Sequence, residues 1–133
     1  QRKLNLIIYL NSSWQKDWGG ELGLWAKSDS GNAPGKLIKI IKPVFNRAII
    51  FDTTQNSWHG ILGKLSLPKG QCRKSLALYY LTDPQTGIDK RGKALFAPTE
   101  EQKGDKSIED LIKKRSLISG ASSVYKKKRP NKK

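Results

Sequence analysis

The sequence predicts an all-β domain followed by a basic extension. Residues 3–83 contain short runs rich in β-branched and aromatic residues, and clusters of Gly, Pro, Asn and Ser separate these runs. No helical periodicity lies between them. Strands that recur roughly every 10 to 20 residues without intervening helices are typical of an antiparallel sandwich or barrel.

The predicted strands are residues 4–10, 21–25, 37–41, 47–51 and 73–81. The first ends at the turn-forming residues 11–13, and Gly19-Gly20 opens the second, whose alternation indicates a half-buried strand. Residues 28–35 form a loop by composition. Pro43 stops the third strand, and residues 68–70 mark a turn before the last.

From Asp83 onward apolar residues become sparse, so we expect residues 1–83 to form the domain and residues 84–133 the extension. Ser107 followed by an acid three residues later predicts a short helix over 107–117, with Ser107 at its cap. The Lys-rich end, 120–133, has too little apolar surface to fold and is expected to be disordered.

The net charge is +15 over 133 residues, and both parts are basic: 12 basic and 5 acidic residues precede residue 84, with 14 and 6 after it. This field favours anionic partners, including a dicarboxylate, a nucleic acid or an acidic protein, without selecting one. No apolar run approaches the roughly 18 residues of a membrane span, so no membrane partner is expected. The lone Cys72 agrees with a soluble cytoplasmic protein.

The chain contains no Met and opens at Gln1, three residues before an apolar segment. We therefore expect further sequence upstream, and we expect the domain to be incomplete at its N-terminal side.

His59 is the only histidine, and a lone histidine is more often structural than a ligand. Its sequence context favours the ligand role, because His59 follows a buried strand and precedes Arg73-Lys74-Ser75. Arg73 and Ser75 share one face of the last predicted strand. An arginine directed inward from an otherwise apolar strand is costly unless it meets an anion, and a carboxylate is its natural bidentate partner.

An ordered set of motifs adds to this pattern. The set comprises Tyr9-Leu10-Asn11, Trp14, Gly19-Gly20-Glu21-Leu22, Pro43-Val44-Phe45-Asn46-Arg47, Phe51, Ser57-Trp58-His59 and Arg73-Lys74-Ser75. In this order and spacing, residues 1–83 resemble the prolyl-hydroxylase-type iron(II)- and 2-oxoglutarate-dependent dioxygenases. The resemblance implies a double-stranded β-helix, or jelly roll, and hydroxylation of a prolyl or other C–H substrate in a protein or small molecule.

The resemblance also implies roles for five residues. His59 would bind Fe(II), Arg73 would pair with the distal carboxylate of 2-oxoglutarate, Ser75 or Tyr9 would donate a hydrogen bond to it, and Phe51 would wall the pocket. O2 is the further cosubstrate, and ascorbate is a candidate reductant. The plainer alternative makes Tyr9 and Phe51 core aromatics and Ser75 a small filler, while Trp14, Trp25 and Trp58 are expected to be packing residues.

The sequence departs from the family pattern in two places. It has no His-x-Asp pair and no second histidine, so the other two ligands of the facial triad are expected upstream, and this chain alone is expected to be inactive. The stretch from His59 to Arg73 is also longer than in the best-known relatives, and an extended hairpin is expected to absorb it.

Two other functions stay open at this point. A basic β-barrel could bind nucleic acid through exposed aromatic residues and the Lys-rich tail. A noncatalytic relative could keep the fold as an interaction module, which would suit the missing ligand pair. The oligomeric state is not predicted.

Overall fold

The structure, a computed structural model, describes residues 2–30, 33–53, 57–83, 86 and 95–116. It is mostly β, with one short helix. Six strands make up its first compact unit, Gln1–Ile88. In chain order they are β1 (Arg2–Tyr9), β2 (Leu22–Lys27), β3 (Pro34–Ile41), β4 (Ala48–Asp52), β5 (Trp58–Ile61) and β6 (Ser75–Leu81).

The six strands form two antiparallel sheets of three strands each. Sheet A has the order β4-β1-β6, and sheet B has the order β3-β2-β5. The central strand of sheet A, β1, places Asn5 opposite Phe51 on one side and opposite Tyr79 on the other. In sheet B, β2 places Leu24 opposite His59. Each sheet therefore combines strands that are distant in sequence.

The sheets pack face to face around a small apolar core. Tyr9 and Phe51 of sheet A meet Leu22 and Ile41 of sheet B, and all four side chains are buried. Alternation along β1 explains the arrangement, because residues two apart point to the same face of a strand. Asn5, Ile7 and Tyr9 form the inner row, while Leu4, Leu6 and Ile8 lie on the outer face.

The outer face of sheet A exposes apolar side chains. Ile50 of β4 and Leu76, Leu78 and Tyr80 of β6 all carry exposed surface. Every residue of β6 is exposed, although all of its residues except Ser75 are apolar or aromatic. Sheet A therefore keeps a large apolar surface in contact with water.

The all-β prediction for this unit is confirmed in the coarse sense of two antiparallel sheets, and three local expectations were wrong. His59 lies within a short strand, β5, rather than just beyond a strand. Residues 62–74 contain no strand, so no hairpin absorbs the long connection. The last strand begins at Ser75, which leaves Arg73 in the preceding loop.

The second compact unit, Asp89–Lys133, contains the helix α1 (Lys106–Ser116), against residues 107–117 expected from the sequence. The cap differs from the prediction. A carboxylate oxygen of Asp105 accepts hydrogen bonds from the backbone N–H of Ser107 at 2.9 Å and of Ile108 at 3.4 Å. Asp105, rather than Ser107, therefore caps the helix.

No helix among the described residues is long and apolar enough to cross a membrane. Residues 120–133, for which disorder was expected, lie outside the described part of the chain.

A pair of opposed glycines in sheet B gives a test of this packing. A Cβ on Gly23 would lie 2.4 Å from the Trp25 ring, whereas a Cβ on Gly60, its cross-strand partner, would lie 3.9 Å from it. We expect Gly23→Ala to lower the free energy of unfolding by about 1–3 kcal/mol, because the indole must move. Gly60→Ala should change it by less than about 0.5 kcal/mol. Urea unfolding measures both, and equal effects would contradict the packing.

Candidate functional site

Arg73 lies at one end of the inner β1 row, beside Tyr9. Its guanidinium carbon is 5.1 Å from the centre of the Tyr9 ring, and its Nε donates a hydrogen bond to the Gly20 carbonyl at 3.2 Å. The side chain is half-buried, and within the described residues it makes no ion pair. Most of its donors are therefore available to an anion, since a guanidinium carries five.

The Tyr9 hydroxyl is the second polar group at this end. Tyr9 is 1% exposed, and its hydroxyl has no hydrogen-bond partner of good geometry among the described residues. Burial raises the pKa of Tyr9, while the charge of Arg73, a hydrogen-bond interaction with its side chain at looser geometry, and the charge of Arg47 oppose that shift. Tyr9 therefore keeps its proton at neutral pH and can donate it in a hydrogen bond.

Gly20 allows the close approach of Arg73. It has a φ of +82°, and a Cβ there would lie 2.8 Å from Leu65, 3.1 Å from Trp14 and 3.3 Å from Cδ of Arg73. Any side chain would be strained and would push the arginine away. The Gly19-Gly20 pair thus does more than open a strand, which is all that the sequence indicated.

Asn11 holds the loop that carries Arg73, a role that the sequence analysis missed. Its Nδ2 donates to the Cys72 carbonyl at 2.9 Å, and its Oδ1 accepts from the Lys74 backbone N–H at 2.6 Å. These bonds flank Arg73 on both sides. The only sequence signal was the Tyr9-Leu10-Asn11 motif itself, in which Asn11 was interpreted as a turn residue.

Ser75 is the cross-strand neighbour of Tyr9. It pairs with Tyr9 across β1 and β6, so both side chains lie on the inner side of sheet A. Its side chain is exposed. The structure thus brings Arg73, Tyr9 and Ser75 together at one end of the row.

His59 and Phe51 form a second group, at the Asn5 end of the row. Their ring centres are 4.8 Å apart in an edge-on arrangement, and the two residues come from opposite sheets. His59 keeps an exposed edge, but the ring contact removes water from its other side. This desolvation, with repulsion from Arg2, lowers the pKa of His59. A neutral imidazole at physiological pH suits a metal ligand.

The side chains at the site fit 2-oxoglutarate better than they fit an iron ion. Arg73 and the protonated Tyr9 hydroxyl fit a carboxylate. By contrast, no group of three His, Cys, Asp or Glu side chains that could hold a metal occurs among the described residues. One imidazole does not make an iron site.

Trp14 lies near the Arg73 group, because both side chains approach Gly20. Trp14 donates to the Gly19 carbonyl at 2.9 Å and packs edge-on against Trp18. Trp25 and Trp58 pair across β2 and β5 on the face opposite Leu24 and His59. A surface cavity of about 260 Å³ beside Trp14, Lys42 and Phe45 contains none of the five predicted site residues.

Comparison with known proteins gives consistent matches. The family model of the 2OG-Fe(II) oxygenase superfamily matches residues 1–81. Prolyl 3-hydroxylase OGFOD1 of Xenopus laevis is 33% identical over 92 residues, which cover 66% of this chain and 17% of that protein. The Mus musculus protein of the same name is 32% identical over 65 residues, which cover 49% and 12%. The chain therefore spans less than a fifth of the length of these relatives.

The lowered pKa of His59 gives a direct test of its surroundings. The single imidazole should titrate below 6.5, the ordinary value, when its ring proton shifts are followed by NMR. Because the unfolded chain then takes up the proton first, the free energy of unfolding should fall as the pH drops through 6.5. Arg2→Gln should move the midpoint upward, whereas Lys3→Gln, its neighbour, should not. A midpoint at or above 6.5 would contradict the packing of His59 on Phe51.

Proposed function

The chain belongs to the 2OG-Fe(II) oxygenase superfamily, and we propose that it forms the C-terminal part of a jelly-roll catalytic domain that hydroxylates a C–H bond. The main support is the half-buried Arg73 beside the buried Tyr9 hydroxyl, at the end of the inner row of β1. In this proposal residues 1–83 belong to the catalytic domain, and residues 84–133 form an extension.

Arg73 anchors the distal carboxylate of 2-oxoglutarate. Its free guanidinium donors match the two oxygens of a carboxylate, and such a charge-assisted pair is stronger in a half-buried setting than at the surface. Tyr9 donates a third hydrogen bond from its protonated hydroxyl. Ser75 lies next to Tyr9 in register and offers a further donor to the same carboxylate.

His59 supplies one ligand to iron, and Phe51 fixes its ring. The other two ligands come from residues outside 1–133, because neither a His-x-Asp pair nor a second histidine occurs in this sequence. When bound, Fe(II), 2-oxoglutarate and O2 supply the oxidising chemistry, and ascorbate is a candidate reductant. The residues of this chain bind and orient the iron and 2-oxoglutarate and exclude water from them. They do not themselves carry out the oxidation.

The substrate class follows from the relatives rather than from the site. Both curated relatives are named prolyl 3-hydroxylases, so a prolyl residue in a protein is the first substrate to test.

The high net charge agrees with an acidic partner, and the lone exposed Cys72 agrees with the reducing cytoplasm.

Removal of the Arg73 charge tests the anchor. In the full-length protein that carries this chain, Arg73→Ala should raise the KM for 2-oxoglutarate at least about tenfold, since a charge-assisted hydrogen bond is lost. Lys74→Ala removes the same charge from the neighbouring exposed side chain and should leave this KM within about twofold. Decarboxylation of 2-oxoglutarate to succinate is the readout. An unchanged KM in the arginine variant would refute the anchor.

The incomplete ligand set gives a second test. Residues 1–133 alone, with Fe(II) added, should not decarboxylate 2-oxoglutarate, whereas the full-length protein should, and His59→Ala should abolish its activity. Turnover by residues 1–133 alone would show that the ligand assignment is wrong. If the full-length protein is also inactive, the noncatalytic interaction module becomes the better interpretation.

A further inference from the structure

Asn5 is a buried polar side chain that the proposed function leaves unused. It is 3% exposed, and its Oδ1 has no hydrogen-bond partner among the described residues. It belongs to the inner row of β1, with Ile7 and Tyr9. A buried carbonyl oxygen without a donor is rare in a native structure and usually marks a contact made by water, an ion or a ligand.

The position of Asn5 relates it to His59 rather than to Arg73. Its neighbour in β4 is Phe51, and the centres of the Phe51 and His59 rings are 4.8 Å apart. Tyr9, beside Arg73, lies four residues further along the strand, about 13 Å away. The five-carbon chain of 2-oxoglutarate is about as long as two extended residues, roughly 7 Å. A cosubstrate anchored on Arg73 therefore spans only about half of the distance along the row from Tyr9 to Asn5.

The neighbour of Asn5 on β6 is an exposed aromatic residue. On the β6 side its neighbour is Tyr79, which is 46% exposed, and the Arg2 guanidinium lies 4.1 Å from the centre of that ring. An exposed ring held by a cation–π contact can rotate at modest cost. A larger ligand could therefore displace the Tyr79 side chain next to Asn5.

We propose that the side-chain amide of Asn5 contacts a peptide substrate, with its Oδ1 accepting a hydrogen bond from a backbone N–H next to the oxidised residue. This inference rests on the proposed function, in which His59 binds the iron. A carboxamide has the same donor and acceptor groups as a peptide bond, so it suits a peptide backbone better than a carboxylate ligand. The site would accept an extended peptide that enters past Tyr79.

The experiment removes the two partners of this hydrogen bond in turn. The probe is a ten-residue peptide centred on proline, chosen because it stimulates 2-oxoglutarate decarboxylation by the full-length wild-type protein. A second copy carries an N-methyl group on the residue after the proline. In the wild type, methylation should raise the peptide KM about tenfold, since one donor is lost. In Asn5→Leu the unmethylated peptide should already have the tenfold higher KM. Methylation should raise that KM by less than a further twofold.

Asn11→Leu is the matched control, because it removes an asparagine from the other end of the same segment. It should weaken 2-oxoglutarate binding through the Arg73 loop, yet keep the tenfold methylation effect. Asn5→Leu should leave the 2-oxoglutarate dissociation constant, measured by calorimetry with Mn(II), within twofold. This binding measurement also shows that the variant is folded.

Each contrary result has one meaning. A methylation effect of equal size in wild type and Asn5→Leu overturns the contact, as does a loss of 2-oxoglutarate binding in Asn5→Leu with an unchanged peptide KM. Stimulation by no proline-centred peptide, with 2-oxoglutarate turnover intact, also overturns the inference and leaves the proposed function standing. No 2-oxoglutarate turnover in the wild-type protein defeats the proposed function itself.

Discussion

The position of β1 at the centre of sheet A is the constraint on which the rest of the unit depends. Because β1 pairs with β4 on one side and β6 on the other, its side-chain alternation cannot slip by one residue without reversing both faces. Asn5, Ile7 and Tyr9 are thereby fixed on the inner side. The His59 group and the Arg73 group each meet this row at a different end, so one strand sets the spacing between them.

The inner row contains both apolar core residues and buried polar atoms, and these have opposite effects on the free energy of unfolding. Asn5 Oδ1 is buried without a partner among the described residues, and such a group costs about 1–3 kcal/mol relative to a bonded one. The small apolar core must offset that cost. An unpaired buried polar atom in a native fold requires an explanation, and a water molecule, an ion or a ligand can each supply the partner. The same reasoning applies to Arg73, which has a hydrogen bond to Gly20 but no carboxylate partner within the described part of the chain.

Composition and periodicity predicted the strands well where a run was long and apolar, as in β1 and β4. They failed at β5, because Trp58-His59-Gly60-Ile61 is too short and too mixed for a two-residue period to stand out. The residues of the candidate site came from motif order. Side-chain roles that depend on contacts far along the chain, such as the bonds of Asn11 to Cys72 and Lys74, leave no local pattern. The cap at Asp105 was missed because Ser107 offered a competing cap signal two residues later.

The distribution of exposed apolar surface bears on the missing iron ligands. Each described sheet has two edge strands, β4 and β6 in sheet A and β3 and β5 in sheet B, and His59 lies on β5. All of β6 is exposed, although its inner and outer residues are mostly apolar. Unpaired edges and uncovered apolar faces are features that native proteins usually cover. Among the residues that the structure describes, β6 is left exposed and no group of three potential metal ligands includes His59. Additional polypeptide that paired with the β5 and β6 edges would meet both needs at once, which agrees with the proposal that residues outside 1–133 complete the iron site.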